Sequence, residues 1–355
     1  MKHNFSAGPS ILPVSTLKGS ADAILNFNNS GLSILEISHR SKDFEAVLHR
    51  AVALVKEMLN IGDNHEVLFL SGGASSQFFM VPYNLLGEGM TAGYINTGTW
   101  SKKAIKEAKL LGNIEVVASS ESTNFDRIPK DYQVKPEYRY LHYTSNNTIF
   151  GTQFHEIPNV SIPLVCDMSS DIFSKKIDIE KYDLIYAGAQ KNLGPAGVTL
   201  VIIRKDICGK IDRVIPSMID YRNHIENNSM YNTPPVLPIY ASMLTLEWLK
   251  EMGGVEKIAE LNDQKAQLLY SVIDKSEIYS GHALKEDRSK MNVCFRLPNE
   301  QLESEFLKFC DQEGCVGLKG HRSVGGIRAS IYNAMPADSV QCLAEIMIHF
   351  EKTKS

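Results

Sequence analysis

Long hydrophobic runs are missing from this sequence: no stretch approaches ~18 uninterrupted apolar residues, which excludes a membrane-spanning helix. The opening residues, Met1-Lys-His-Asn-Phe-Ser-Ala-Gly-Pro9, lack the apolar centre of an export signal. A basic excess is missing too. Lys and Arg number 37 against 41 Asp and Glu, a formal net charge of -4, so no nucleic-acid or membrane-surface partner is expected. The cysteines, at positions 166, 208, 294, 310, 315 and 342, never fall in CxxC spacing. Cys310 and Cys315 are the nearest pair and have only His321 beyond them, so no metal site is expected. Scattered thiols without a disulfide framework suit a reducing compartment, and the expected location is the cytoplasm. Internal repeats, low-complexity segments and heptads are absent as well.

What is present is an ordinary globular composition, 43% apolar and 22% charged over 355 residues. At about 100–200 residues per domain this predicts two domains with cores that need no disulfide or metal. Apolar strand-like runs alternate with helical periodicity, so an α/β architecture with a mostly parallel sheet is expected. Residues 45–59 carry apolar side chains at helical spacing, and Gly62 is read as the stop. A strand over 67–70 is followed by a glycine-serine turn over 71–76 and a helix from Gln77 towards Leu86. Further strands are predicted over 91–96, 162–167, 184–187 and 198–203, the last with the β-branched content of a central or antiparallel strand. Helices are predicted over 101–111 and 240–251. Beyond Val255 the texture changes to a long helix reaching about Ser271, a strand over 291–297, and helices over 302–313 and 340–351. The expected boundaries are a large domain over 16–256 and a small domain made of 1–15 with 257–355.

Three features carry chemistry. In Ser71-Gly-Gly-Ala-Ser-Ser76 two glycines let backbone N–H groups approach an anion, and a following helix adds its dipole. This suits a phosphate, with a serine-capped turn as the plain alternative. It is neither a Walker A loop nor a GxGxxG fingerprint. Lys191 lies in the glycine-rich Ala187-Gly-Ala-Gln-Lys-Asn-Leu-Gly-Pro-Ala-Gly197, directly after an apolar strand. A lysine that bonds an aldehyde must be held still and partly desolvated so that its amine is neutral, whereas a surface lysine needs no such setting. Asp167 closes another apolar strand. Ligands of open α/β sheets bind outside the carboxyl ends of the strands, where Asp167 and Lys191 would face one cavity. Pyridoxal phosphate needs that pair, a lysine for its aldehyde and a carboxylate that keeps its ring nitrogen protonated, together with an anion cradle.

Further motifs extend the pattern: Asn4-Phe-Ser-Ala-Gly-Pro9, Glu36-Ile-Ser-His-Arg-Ser-Lys42, Gly98-Thr-Trp-Ser101, Cys166-Asp-Met-Ser-Ser170, Tyr231-Asn-Thr-Pro-Pro235 and Gly320-His-Arg-Ser-Val-Gly-Gly-Ile-Arg328. In order and spacing they resemble the class V branch of the aspartate-aminotransferase-like fold, and within it the phosphoserine aminotransferase family, over essentially the whole chain. The resemblance implies a pyridoxal-phosphate-dependent transferase with a mostly parallel seven-stranded sheet in its large domain and a smaller C-terminal α/β domain. It implies amino transfer from L-glutamate to 3-phosphohydroxypyruvate, giving O-phospho-L-serine and 2-oxoglutarate in serine biosynthesis. The same groups would serve 3-hydroxy-2-oxo-4-phosphobutanoate in pyridoxine biosynthesis.

Roles follow from the same resemblance. Lys191 would bond the cofactor and shuttle the substrate proton, and Asp167 would pair with the ring nitrogen. Trp100 would stack on the ring, with Thr148 near the ring oxygen. Gly73, Ala74, Ser75, Ser169 and Gln190 complete the cofactor contacts of one subunit. Asn232 and Thr233 would reach the cofactor phosphate from a neighbouring subunit, which implies a homodimer with shared sites. Arg328 would grip the substrate α-carboxylate. His321 and Arg322, with His39 and Arg40 of a second subunit, would receive the substrate phosphate or the glutamate side chain.

Other outcomes have their own signatures. An alanine–glyoxylate-type aminotransferase would not need the two His-Arg pairs. A cysteine desulfurase would need a reactive thiol over the cofactor, for which Cys315 is the candidate, and a silent cofactor-binding protein would have lost Lys191 or Asp167. Residues 280–290 read either as a mobile loop or as an ordinary connection.

Overall fold

Aliphatic runs form strands here and the helically periodic segments cover them. The computed structural model describes residues 2–354. Its first part comprises β1 (His3–Asn4), α1 (Val14–Asn26), α2 (Lys42–Leu59), β2 (His65–Leu70), α3 (Gly73–Leu85), β3 (Thr91–Asn96), α4 (Thr99–Ala108) and β4 (Asn113–Ser119). Next, β5 (Leu141–Thr144) leads into a hairpin of β6 (Asn146–Asn147) and β7 (Thr152–Gln153). β8 (Leu164–Asp167), β9 (Leu184–Gly188) and β10 (Thr199–Arg204) follow. One seven-stranded sheet runs in the order β2-β10-β9-β8-β5-β3-β4. β10 is antiparallel to both neighbours, and every other adjacent pair is parallel.

Both faces of this sheet are covered, which is why its strands read as unbroken apolar runs. Leu164 and Cys166 of β8 point into a core shared with α2 and α6 (Val236–Glu251), while Val165 between them packs towards α3 and α4. A short helix, α5 (Tyr221–Glu226), precedes α6. After α7 (Gly254–Lys275) come β11 (Ser280–Gly281), β12 (Asn292–Arg296), α8 (Glu300–Gln312), β13 (Cys315–Val316), β14 (Ile327–Ser330) and α9 (Ala337–Lys352). β11, β12 and β14 form an antiparallel sheet with its own core, in which Phe5 is also buried, and β1 pairs with β13 in parallel. α7 serves both cores: Val255 and Ile258 pack under the large sheet, Ala266, Leu269 and Ile273 under the small one.

Two helix boundaries correct the sequence reading. α2 ends at Leu59 and is capped by Asn60, whose left-handed φ of 51° stops the helix before Gly62, a conformation asparagine tolerates better than most residues. α3 begins at Gly73, one turn before Gln77. Gly72 and Gly73 have φ of 101° and 69°, and Ser76 Oγ donates to the Gly72 carbonyl at 3.0 Å, so the run winds into the helix instead of looping outside it. Residues 280–290 form an ordered connection, with Arg288 paired to Asp274 at 2.7 Å and Asp287 accepting from Ile128 N at 3.0 Å. No described helix is long and apolar enough to cross a membrane.

Candidate active site

Five strands of the large sheet bring their carboxyl ends to one place. β8 ends on Asp167, and β9 leads into the turn of Lys191. β5 runs on to Thr148, β3 to Trp100, and β2 to the glycine cradle. Lys191 Nζ donates to Thr148 Oγ1 at 2.7 Å and lies 5.9 Å from the centroid of the Trp100 ring. Its backbone is held as well: Ser10 Oγ donates to the Lys191 carbonyl at 2.6 Å. Burial lowers the Lys191 amine to about 8; the Asp167 charge opposes that drop and Arg328 adds to it. An amine in this range has a neutral fraction of about one fifth near pH 7.4, far above that of an ordinary lysine.

Asp167 is buried, and its Oδ1 accepts from Ser169 N at 2.9 Å, while Ser169 Oγ accepts from Gly188 N at 3.1 Å. Burial raises its carboxyl above the usual range, against the pull of the Ser169 hydrogen bonds and of Lys191. Among the described residues no cationic side chain is hydrogen-bonded to it, and a buried carboxylate in that position is stabilised by an added cationic donor.

Trp100 occupies the first turn of α4 because Gly98 turns the chain there. With φ at 147°, Gly98 sits where a Cβ would lie 2.9 Å from Phe150 Cδ2 and collide with the Asn147 amide. The indole Nε1 is buried without a partner. At the cradle, Gly72 caps α3 without a side chain, so the N–H groups of the first turn, from Gly73 to Ser75, have no intrahelical acceptor. A Cβ on Gly72 would run into Ser76. Gln190 extends beside Gly188 and Gly8.

Arg328 lies on β14 opposite Cys294, with a buried Nε that has no partner. His321 Nδ1 is 2.7 Å from Ser323 Oγ, and burial lowers its pKa with help from Arg328, Arg322 and Lys103. Among the described residues none of Lys103, Lys191, His321, Arg322 and Arg328 forms an ion pair. Unpaired positive charge gathered in one recess attracts anions.

His39, Arg40, Asn232 and Thr233 are not joined to this cluster within the chain. The Asn232 amide donates to the Thr233 carbonyl at 3.1 Å, and His39 Nε2 is buried without a partner. Cys315 lies in β13, 2% exposed in the small core, and burial pushes its thiol up to about 12, which removes it as a nucleophile. Lys103, 4.6 Å from the Trp100 ring centroid, and Ser10 belong to the site although no motif reading reached them. Lys103 follows Trp100 by three positions on a helix, a spacing that puts both on one face.

A family model described as aminotransferase class-V matches residues 2–343. The chain belongs to the class V aminotransferases. Phosphoserine aminotransferase of Azobacteroides pseudotrichonymphae is 57% identical over 353 residues, 99% of this chain and 98% of that protein. The phosphoserine aminotransferase of Flavobacterium psychrophilum is 58% identical over 351 residues, 99% of each. Among solved structures, phosphoserine aminotransferase from Bacillus circulans subsp. alkalophilus superposes with a TM-score of 0.97 at 47% identity, covering 100% of this chain and 99% of its own. The PLP-bound phosphoserine aminotransferase of Trichomonas vaginalis gives 0.94 at 37% identity, covering 98% and 100%. An aspartate aminotransferase from Thermus thermophilus, 18% identical with a TM-score of 0.79 over 98% and 99%, shares the fold. The chain therefore has the aspartate-aminotransferase-like fold expected of it.

Proposed function

We propose that this chain is a phosphoserine aminotransferase, exchanging an amino group between L-glutamate and 3-phosphohydroxypyruvate with pyridoxal phosphate as cofactor. The observation that carries the reading is Lys191 beside Asp167, facing a group of cations that have no ion pairs. The residues fit the cofactor: a buried carboxylate without a cationic partner for the ring nitrogen, a flat indole for the ring, and an uncapped helix start for the phosphate.

When bound, pyridoxal phosphate supplies an aldehyde that takes up the amino group and a protonated ring that draws electrons from the substrate Cα. Asp167 keeps the proton on the ring nitrogen, since a buried carboxylate gains most from a cation against it. Lys191 Nζ would move a proton between the substrate Cα and the cofactor, in one direction for the amino donor and in reverse for the acceptor. Arg328 offers a planar fork to the α-carboxylate common to both amino acids. His321 and Arg322 face the distal anion, phosphate in one substrate and carboxylate in the other. The same groups suit 3-hydroxy-2-oxo-4-phosphobutanoate as a second acceptor.

His39 and Arg40 of a second copy complete this anion site in a homodimer, and Asn232 and Thr233 add to the cofactor phosphate. Support comes from the exposed apolar side chains Val14, Leu17, Leu25, Leu32 and Leu35, the most exposed being Leu25 at 81%. All lie within residues 14–35, in the segment that leads to His39, and exposed apolar side chains in such number suit an interaction surface. Absorbance of the cofactor-loaded protein tests the reading, with L-glutamate, O-phospho-L-serine, L-alanine and L-cysteine added separately. Conversion by glutamate and phosphoserine alone is expected. A response to alanine without one to phosphoserine would overturn the substrate assignment.

A further inference from the structure

Lys265 on α7 is 3% exposed, and among the described residues no carboxylate pairs with it. Its Nζ donates instead to three backbone carbonyls: Tyr332 at 2.8 Å, Ile331 at 3.1 Å and Met335 at 3.3 Å. An ammonium has three N–H donors, so donors and acceptors match one to one. Burial pulls the amine down to about 7, while carbonyl acceptors favour its charged form. Methionine would fill similar volume without burying a charge, so filling space does not account for a lysine here.

The three carbonyls belong to the turn that leaves β14, the strand carrying Arg328. That same turn reaches Lys191. Asn333 N donates to Asn192 Oδ1 at 3.0 Å, and Asn192 adjoins Lys191. On α7, Asn262 Nδ2 donates to Asn333 Oδ1 at 2.8 Å, three residues before Lys265. Tyr332 Oη donates to the Ala7 carbonyl at 2.7 Å and accepts from Asn292 Nδ2 at 3.1 Å. The 331–335 turn thus ties α7, the N-terminal segment, β12 and the Lys191 loop together.

We propose that Lys265 is a positioning residue, whose ammonium locks the 331–335 turn and so sets the separation between Arg328 and Lys191. That separation is the span between an amino acid's α-carboxylate and its Cα proton. The proposal rests on the roles given above to Arg328 and Lys191. Both substrates share the α-carboxylate, so releasing the turn weakens both equally, whereas losing a phosphate-reading group would separate them.

The test compares wild type with Lys265→Met, Lys265→Gln and Lys265→Arg in the full, cofactor-loaded protein. We expect the two uncharged variants to raise KM for glutamate and for phosphoserine by the same factor, ~10-fold, with a smaller change in kcat. Hydrogen exchange is expected to speed up at residues 189–194 as well as at 331–335, and Lys265→Arg to restore both measures. KM values unchanged, or raised for phosphoserine alone, overturn the proposal, as does faster exchange spread evenly over the chain. If neither uncharged variant folds, Asn192→Ala removes the acceptor of the Asn333 N–H and so cuts the link from the turn to the Lys191 loop while leaving Lys265, and the same equal rise in KM is expected; no rise refutes the lock. Wild type that converts glutamate but ignores phosphoserine would sink the substrate reading, and the glutamate and exchange arms would still judge Lys265.

Discussion

Lys191 should react with an acylating reagent at a pH where the surface lysines do not. Burial lowers its amine from 10.5 to about 8. At pH 7.5 an amine of that pKa is ~20–25% neutral against ~0.1% for an ordinary lysine, a ~200-fold difference in reactive form. Competitive labelling of the cofactor-free protein with trace acetic anhydride, read peptide by peptide by mass spectrometry from pH 6.5 to 10.5, measures the titration directly. Rates normalised to their high-pH plateau should give Lys191 a midpoint near 8. The neighbours supply a second, signed check. Asp167→Asn removes an attraction that favours the charged amine, so the midpoint moves down. Arg328→Gln removes a repulsion, so it moves up. A wild-type midpoint at or above 10, or both variants moving the same way, would refute the electrostatic account of this lysine.

Lys191→Ala should leave circular dichroism and thermal unfolding close to wild type while abolishing turnover; measurable steady-state transamination would contradict its role. Arg328→Gln should lower kcat/KM for glutamate and phosphoserine alike by at least ~10-fold, because a charged hydrogen bond contributes about 1.5–3 kcal/mol, and a loss confined to one substrate counts against it. His142 is buried with Nε2 2.8 Å from Tyr186 Oη, and burial pushes its imidazole down to about 3. The unfolded chain takes up that proton near pH 6.5, so stability falls as pH drops from 6.5 towards 3, by up to about 1.4 kcal/mol per unit. Urea unfolding of His142→Gln should lose that part of the slope, and parallel wild-type and variant profiles would exclude it. Leu25→Glu should yield monomers by sedimentation, with activity lost through the shared site; an active dimer would move the interface elsewhere.

The parallel centre of the fold was readable because β8 and β9 are buried on both faces and show as unbroken apolar runs. Elements at the margins hid for opposite reasons. β4 is an edge strand without one fully buried residue, so its alternation is blurred by Glu115 and Val116. β5, Leu141-His-Tyr-Thr144, is wholly buried yet polar and aromatic; His142 stacks on Tyr94 at 4.7 Å, which no apolar pattern announces. α1 shows no clean stripe because Val14, Leu17 and Leu25 remain exposed in the single chain. At the candidate site, the placement of Asp167 and Lys191 after neighbouring strands was legible because each follows an apolar run, and strand ends are where such sheets bind ligands. The Lys265–Asn333–Asn192 connection was not, since it joins three distant segments through asparagines and backbone carbonyls that carry no spacing signal.

The pairing of β1 with β13 bears on how the protein is made. During synthesis the large sheet is complete once Arg204 has left the ribosome, yet His3–Asn4 must wait for Cys315–Val316 before it has a partner. Until then Phe5 has no core to enter, and Ala7 has no Tyr332 hydroxyl to receive. Contacts this far apart in sequence form late, after local ones. A nascent chain stalled short of residue 315 would hold Asp167 and Lys191 but neither the docked N-terminal segment nor Arg328, so the recess these residues share is complete only after the C-terminal segment has been made.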